Sequence, residues 1–130
     1  MCGISGWIDW REDLRTQADI IEKMSGTLAH RGPDAQNIWL SPCAALGHCR
    51  LVVVDPEGGG QPMSRNRGEN RYIISYNGEL YNTLELRQDL EARGYTFLTR
   101  NSDTEALLLA YMEWGPACLE RWNLCLCYLG

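Results

Sequence analysis

The chain is almost without lysine. Of its 12 Lys and Arg residues only Lys23 is a lysine; the arginines are scattered, and the net charge is −5. Neutralising a row of phosphates takes a concentrated positive patch, so neither nucleic acid nor an anionic membrane surface is expected as a partner. Long apolar runs are missing too: nothing approaches the ~20 residues of a spanning helix. The N-terminus has no basic stretch leading into an apolar one, so a secretory signal is not expected. Six cysteines are present, but no pair of CxxC motifs; Cys125-x-Cys127 alone is a weak metal signal. Reduced thiols in a cytoplasm are the expectation. No G-x-G-x-x-G follows a strand, and Gly58-Gly59-Gly60 lacks the Lys-Ser/Thr of a phosphate loop. Repeats and low-complexity tracts are absent. What is left is one globular domain of 130 residues, 45% of them hydrophobic.

Within it, Gly3 to Asp9 reads as a strand and Gln17 to Ala29 as an amphipathic helix, with Ile20, Ile21, Met24 and Leu28 on one face. His30-Arg31-Gly32-Pro33-Asp34 is a loop. Gln36 to Leu40 and Ala44 to Val54 read as strands, the second ending in the β-branched run Val52-Val53-Val54. A glycine-rich loop follows from Asp55 to Gly60. Tyr72 to Tyr76 is a strand closed by the turn pair Asn77-Gly78. Leu80 to Arg93 is a helix stopped by Gly94, and a further helix runs from Thr104 to Trp114, with Ser102-Asp103 as its cap and Gly115-Pro116 as its stop. Trp7, Trp39, Leu84, Leu90, Leu107 and Leu108 are expected in the core. Strand, helix, several strands and two helices make an α+β layered domain.

The chemistry starts at Met1-Cys2-Gly3-Ile4. Once Met1 is removed, Cys2 carries both a thiol and a free α-amine. A thiol needs a base or a positive neighbour to become a nucleophile, and a terminal amine titrating at about 7.7–8.0 is a base attached to the nucleophile itself. Gly3 and Gly6 let backbone approach closely beside it. The alternative is an ordinary buried thiol.

Six segments share an order known from one family: Met1-Cys2-Gly3-Ile4, Ala29-His30-Arg31-Gly32-Pro33-Asp34, Gly47-His48-Cys49-Arg50-Leu51, Gly60-Gln61-Pro62-Met63, Tyr76-Asn77-Gly78-Glu79-Leu80-Tyr81-Asn82 and Ser102-Asp103-Thr104-Glu105. On them the chain, from Met1 to about Asn123, resembles the class II glutamine amidotransferases, most closely the glutaminase domain of asparagine synthetase. The resemblance implies an N-terminal-nucleophile (Ntn) hydrolase fold, a four-layer α/β/β/α sandwich with antiparallel sheets. It implies hydrolysis of L-glutamine to glutamate and ammonia through a Cys2 thioester, with no cofactor for that reaction. Cys2 attacks the amide carbon, and its amine moves the proton. Asn77 and Gly78 match the oxyanion hole. Arg50 matches the residue that holds the substrate carboxylate, and Glu79 and Asp103 match residues near its ammonium. The backbone through Leu51, Val53 and Val54 is expected to line the pocket. Asp103 also reads as a plain helix cap, and Asn77-Gly78 as a plain turn. His30 and His48 invite a Cys-His dyad, but the family uses the terminal amine, so both are expected to be structural.

Two departures stand out. Cys49 occupies a position where the family commonly has arginine, pointing to the face opposite Arg50. After Asn123 the family continues into a central strand and several more, whereas residues 124–130 form an atypical tail; a shifted reading frame would account for it. The expected organisation is an incomplete, C-terminally truncated amidotransferase domain over 1–123, that tail, and no synthetase domain, to which ATP and Mg would belong. Open sheet edges would then call for a separate synthetase chain or a second copy. Three functional readings stay open: a glutamine-hydrolysing enzyme; an inactive remnant or glutamine-binding regulatory module; and a related Ntn amidase acting on another amide, which Arg50 and Asp103 disfavour.

Overall fold

Gly3–Ile8 forms β1, Ala35–Leu40 β2 and Ala44–Arg50 β3, joined as an antiparallel sheet in the order β1-β3-β2. The computed structural model describes residues 2–53, 55 and 57–126, the last three by their backbone only. Helix α1, Ala18–Gly26, lies on one face of this sheet. The registers Gly3↔Cys49, Ser5↔Gly47 and Trp7↔Ala45 put Gly3, Ser5, Trp7, Ala45, Gly47 and Cys49 on that face. Leu14, Ile21 and Ala45 are buried there, with Trp7, Met24, Ile38 and Leu40 packed around them. Ser5 and Ser25 meet hydroxyl to hydroxyl at 2.7 Å over Gly47, and a Cβ on Gly47 would overlap the Ser25 hydroxyl. The close seating of α1 therefore requires glycine at that position.

A second unit is built from Met63–Arg67 (β4) paired with Asn70–Ile74 (β5), Gly78–Leu80 (β6) paired with Leu124–Leu126 (β7), helices Thr83–Ala92 (α2) and Asp103–Trp114 (α3), and the 3-10 helix Gly115–Arg121. Its core holds Met63, Leu90, Leu108, Leu109, Ala110, Met112 and Cys118, with Tyr72, Ile74, Tyr95, Phe97, Trp114 and Trp122 around them. Ser102 caps α3 by accepting from the Glu105 amide at 3.4 Å, and Gly115, at φ 58°, ends it.

The mixed helix and antiparallel-sheet class agrees with the sequence reading. Several boundaries differ, each for a local reason. Strand β3 stops at Arg50 rather than running to Val54, because the backbone beyond it finds other partners. Asn77-Gly78 does not close a hairpin; Gly78 opens β6. That strand takes the residues given to the start of a helix, so α2 begins at Thr83. Its buried stripe is Leu86 and Leu90, one turn apart, which leaves Leu84 off the stripe and 71% exposed. Strand β4 was not expected from Met-Ser-Arg-Asn-Arg; it forms because Gly68-Glu69 makes a two-residue hairpin, with Gly68 at φ 59°. Leu124–Leu126, the start of the atypical tail, pairs as β7 with β6; residues 127–130 lie outside the described residues.

Candidate active site

Carrying the β1–β3 register one residue past Gly3↔Cys49 sets Cys2 beside Arg50. Side chains alternate along a strand, so Cys2 and Arg50 share the face away from α1, and Cys49 points to the other. Cys49 is wholly buried and donates its thiol hydrogen to the Ser25 carbonyl at 3.0 Å. Burial, with Cys2 nearby, pushes its thiol pKa up. The Cys2 sulfur is partly buried. It accepts from the Leu51 N–H at 3.3 Å and lies 3.6 Å from the Leu51 carbonyl oxygen.

The loop His30–Asp34 holds both sides of that contact. Arg31 Nε donates to the Cys2 carbonyl at 3.3 Å. A Cβ on Gly32 would collide with the peptide linking Cys49 to Arg50, so the loop lies directly on the end of β3 only because residue 32 is glycine. The Asp34 amide donates to the Arg50 carbonyl at 3.0 Å, and Asp34 Oδ2 accepts from the Val52 amide at 2.7 Å.

His48, on β3 two residues before Arg50, is wholly buried, and its Nδ1 meets Ser75 Oγ at 3.0 Å. Burial, with the positive charge of Arg50 added, lowers its pKa to about 4, so the ring is uncharged at neutral pH. The ring thus meets Ser75, while the Cys2 sulfur meets the Leu51 amide. Ser75 begins the segment that leads to Asn77. Tyr76, between them, donates its amide to the buried Gln61 Oε1 at 2.5 Å. The backbone before Asn77 is thus tied at two successive residues, and Asn77 itself is partly buried.

The remaining candidates belong to the second unit. Gly78 and Glu79 sit on β6, and Glu79 is exposed opposite Cys125. Asp103 is the first residue of α3; the cap role that it could have played belongs to Ser102. Its Oδ2 accepts from the Leu80 amide at 3.4 Å and its Oδ1 from the Thr104 amide at 2.7 Å. Burial pushes the Asp103 pKa up, with these N–H bonds opposing it in part. Val53 is 76% exposed, and Val54 lies outside the described residues. Among the described residues no cluster of three or more His, Cys, Asp or Glu could hold a metal, and no helix is long and apolar enough to cross a membrane.

The sequence reading put the Leu51 backbone in the pocket but not against the sulfur, and it gave no part to Asp34, which bonds the residues on either side of Leu51. The signal for Asp34 was present. Pro33 has no N–H with which to extend the β2–β3 ladder, and a carboxylate beside it is a natural acceptor for an amide left over.

A partly buried cysteine at the second residue and an arginine at the end of β3 lie within the stretch that the family comparison covers. Residues 1–125 match the model of the glutamine amidotransferase domain, and the chain belongs to that family. It is 48% identical over 123 residues to asparagine synthetase (glutamine-hydrolyzing) 3 of Bacillus subtilis, covering 95% of this chain and 20% of that protein. It is 41% identical over 116 residues to asparagine synthetase (glutamine-hydrolyzing) 1 of the same organism, covering 88% and 18%. It is 37% identical over 120 residues to asparagine synthetase B (glutamine-hydrolyzing) of Escherichia coli, covering 92% and 21%. The chain thus spans about a fifth of the length of these relatives.

Proposed function

We propose that this chain hydrolyses L-glutamine to glutamate and ammonia through Cys2. The observation that carries the proposal is the Cys2 sulfur at 3.3 Å from the Leu51 amide, on the same sheet face as Arg50, in a member of the glutamine amidotransferase family. With Met1 removed, the sulfur attacks the side-chain amide carbon, the Cys2 amine carries the proton to the leaving ammonia, and water then hydrolyses the thioester. Arg50 meets the substrate carboxylate as a planar fork. Asn77 and Gly78 donate to the oxyanion. Asp103, seconded by Glu79, meets the ammonium, and the backbone through Leu51, Val53 and Val54 lines the substrate. The reaction needs no cofactor; ATP and Mg would belong to a synthetase domain. The organisation proposed is an amidotransferase domain over 1–123 followed by a tail at 124–130. The compartment proposed is the cytoplasm, where ammonia would pass to a separate synthetase chain or be released by a self-associated form.

The test is glutamate release by the purified chain, with mass spectrometry of its N-terminus. Chain that has lost Met1 releases glutamate, Cys2→Ala does not, and a glutamine-like diazoketone labels Cys2. Labelling without turnover favours the glutamine-binding module; neither labelling nor turnover defeats the reading.

A further inference from the structure

We propose that Asp34 is a positioning residue, which holds the Leu51 amide against the Cys2 sulfur; as a step in catalysis this rests on the glutaminase reading. The ladder between β2 and β3 ends at Ala35↔Arg50, and beyond it Pro33 has no hydrogen to offer. The three residues that follow β3 would drift from the sheet unless something else held them. Asp34 does so with two different groups. Its amide donates to the Arg50 carbonyl at 3.0 Å, and its carboxylate accepts from the Val52 amide at 2.7 Å. Arg50 and Val52 flank Leu51, so the peptide that presents the Leu51 N–H is fixed at both ends by one side chain and its own backbone. Arg31, three residues earlier, grips the Cys2 carbonyl, and Gly32 lets the loop sit on the Cys49–Arg50 peptide. Donor and sulfur are therefore both referenced to the same five-residue loop, His30–Asp34. The Asp34 carboxylate bonds the Val52 amide rather than the sulfur. Asp34 acts through Leu51, and through Arg50, whose carbonyl it holds.

The test compares Asp34→Ala, which removes the acceptor, with Asp34→Asn, which leaves an acceptor oxygen in its place. The readouts are residue-resolved amide exchange and steady-state glutamate release by the full chain. In Asp34→Ala the Leu51 and Val52 amides exchange about tenfold faster, while Leu46 and His48, inside β3, keep their rates. In the same variant kcat falls about 10- to 100-fold with KM changing less than about threefold, because a misplaced nucleophile costs the chemical step more than binding. Asp34→Asn restores both measures. Should Asp34→Ala fail to fold, Asp34→Ser, whose hydroxyl is too short to span the same gap, takes its place. Unchanged exchange at Leu51 overturns the proposal. So does acceleration spread evenly over β1, β2 and β3, which would mark a merely structural role, and so does an equal kcat loss in Asp34→Asn. If wild-type chain releases no glutamate while the localised exchange pattern holds, the glutaminase reading falls and the Asp34 bracket stands.

Discussion

Glu105, with no exposed surface, receives the guanidinium of Arg65, Nε at 3.0 Å and Nη2 at 2.5 Å, while the amides of Leu98 and Thr99 donate to the same carboxylate at 2.9 and 2.7 Å. It lies two residues past Asp103 on α3 and stitches β4 and the segment after α2 to that helix. Burial pushes the Glu105 pKa up, but the bonds from Leu98, Thr99 and Arg65 together outweigh it and hold the carboxyl below its ordinary range. The folded state therefore binds this proton less readily than the unfolded one. The stability it contributes is complete above the ordinary value of 4.5 and is lost as pH falls through the lower folded value. Glu105→Gln leaves Arg65 without a counter-charge and is expected to cost about 3–5 kcal/mol by urea unfolding. The acid limb of its stability curve should also be shallower than that of the wild type.

Gly32→Ala tests the seat of the loop on β3. The new methyl meets the Cys49 carbonyl and the Arg50 amide, both of them backbone, so nothing nearby can rotate away. Overpacking of this kind costs about 1–3 kcal/mol. The matched control is Gly26→Ala, where nothing lies within 4 Å of the new atom at the end of α1; it should be neutral or gain up to about 1 kcal/mol. The melting temperature of Gly32→Ala should fall while that of Gly26→Ala holds or rises, and amide shifts in Gly32→Ala should concentrate at Cys2 and Cys49–Val52.

His48 gives a separate pH signature. Its pKa in the fold, about 4, lies below the ordinary 6.5. Protonation therefore favours the unfolded chain: stability is complete above about pH 6.5 and declines as pH falls from there toward 4. The span corresponds to a loss on the order of 3 kcal/mol. Carboxylates with ordinary or lowered pKa contribute little between pH 5 and 6.5, and the raised Asp103 carboxyl acts in the opposite sense, so the histidine's share of the slope is the part that changes in His48→Gln. His48→Gln should flatten it, and the His48 Cε1 proton should not titrate by NMR down to pH 5. A midpoint near 6.5 would mean that the ring is hydrated rather than buried.

Much of this was legible in the chain itself, and the exceptions have physical causes. Of the face read for α1, Ile21 is buried and Met24 packs beside it, but Ile20 is exposed and Leu28 lies past the helix end at Gly26; β1, β2 and the caps at Ser102, Gly94 and Gly115 were read from local chemistry that tertiary packing did not override. The valine run after Arg50 misled because β-propensity measures fit to a pleated surface. The surface ends where Pro33 cannot pair, and Val52 is bound by a carboxylate instead. Strand β4 has a weak pattern and owes its existence to a Gly-X turn. At the site, Cys2 and Arg50 could be named from motif order. Their shared sheet face follows from a register, and the Leu51 amide is a backbone group that no side-chain pattern announces.

The sharpest separation of binding from folding is available at Asp103. Burial raises its pKa, so its ionisation at neutral pH works against the folded state, and removing that charge should not by itself destabilise the chain. Asp103→Asn keeps one acceptor oxygen, enough for the Thr104 amide but not also for the Leu80 amide, which donates to the other carboxylate oxygen. The bond lost, about 1 kcal/mol, offsets the relief of the buried charge, so the variant is expected to melt close to the wild-type temperature. If the carboxylate meets the substrate ammonium, the same variant raises KM for glutamine about 10- to 100-fold, the loss of one charge-assisted bond. In the wild type KM should climb as pH falls through the raised Asp103 value, at a higher pH than an ordinary carboxylate would give, whereas in Asp103→Asn it should be flat over that range. Rates corrected for the folded fraction make the comparison. A wild-type KM independent of pH, with Asp103→Asn binding glutamine normally, would confine Asp103 to holding β6 against the start of α3 and would leave the ammonium to another anion.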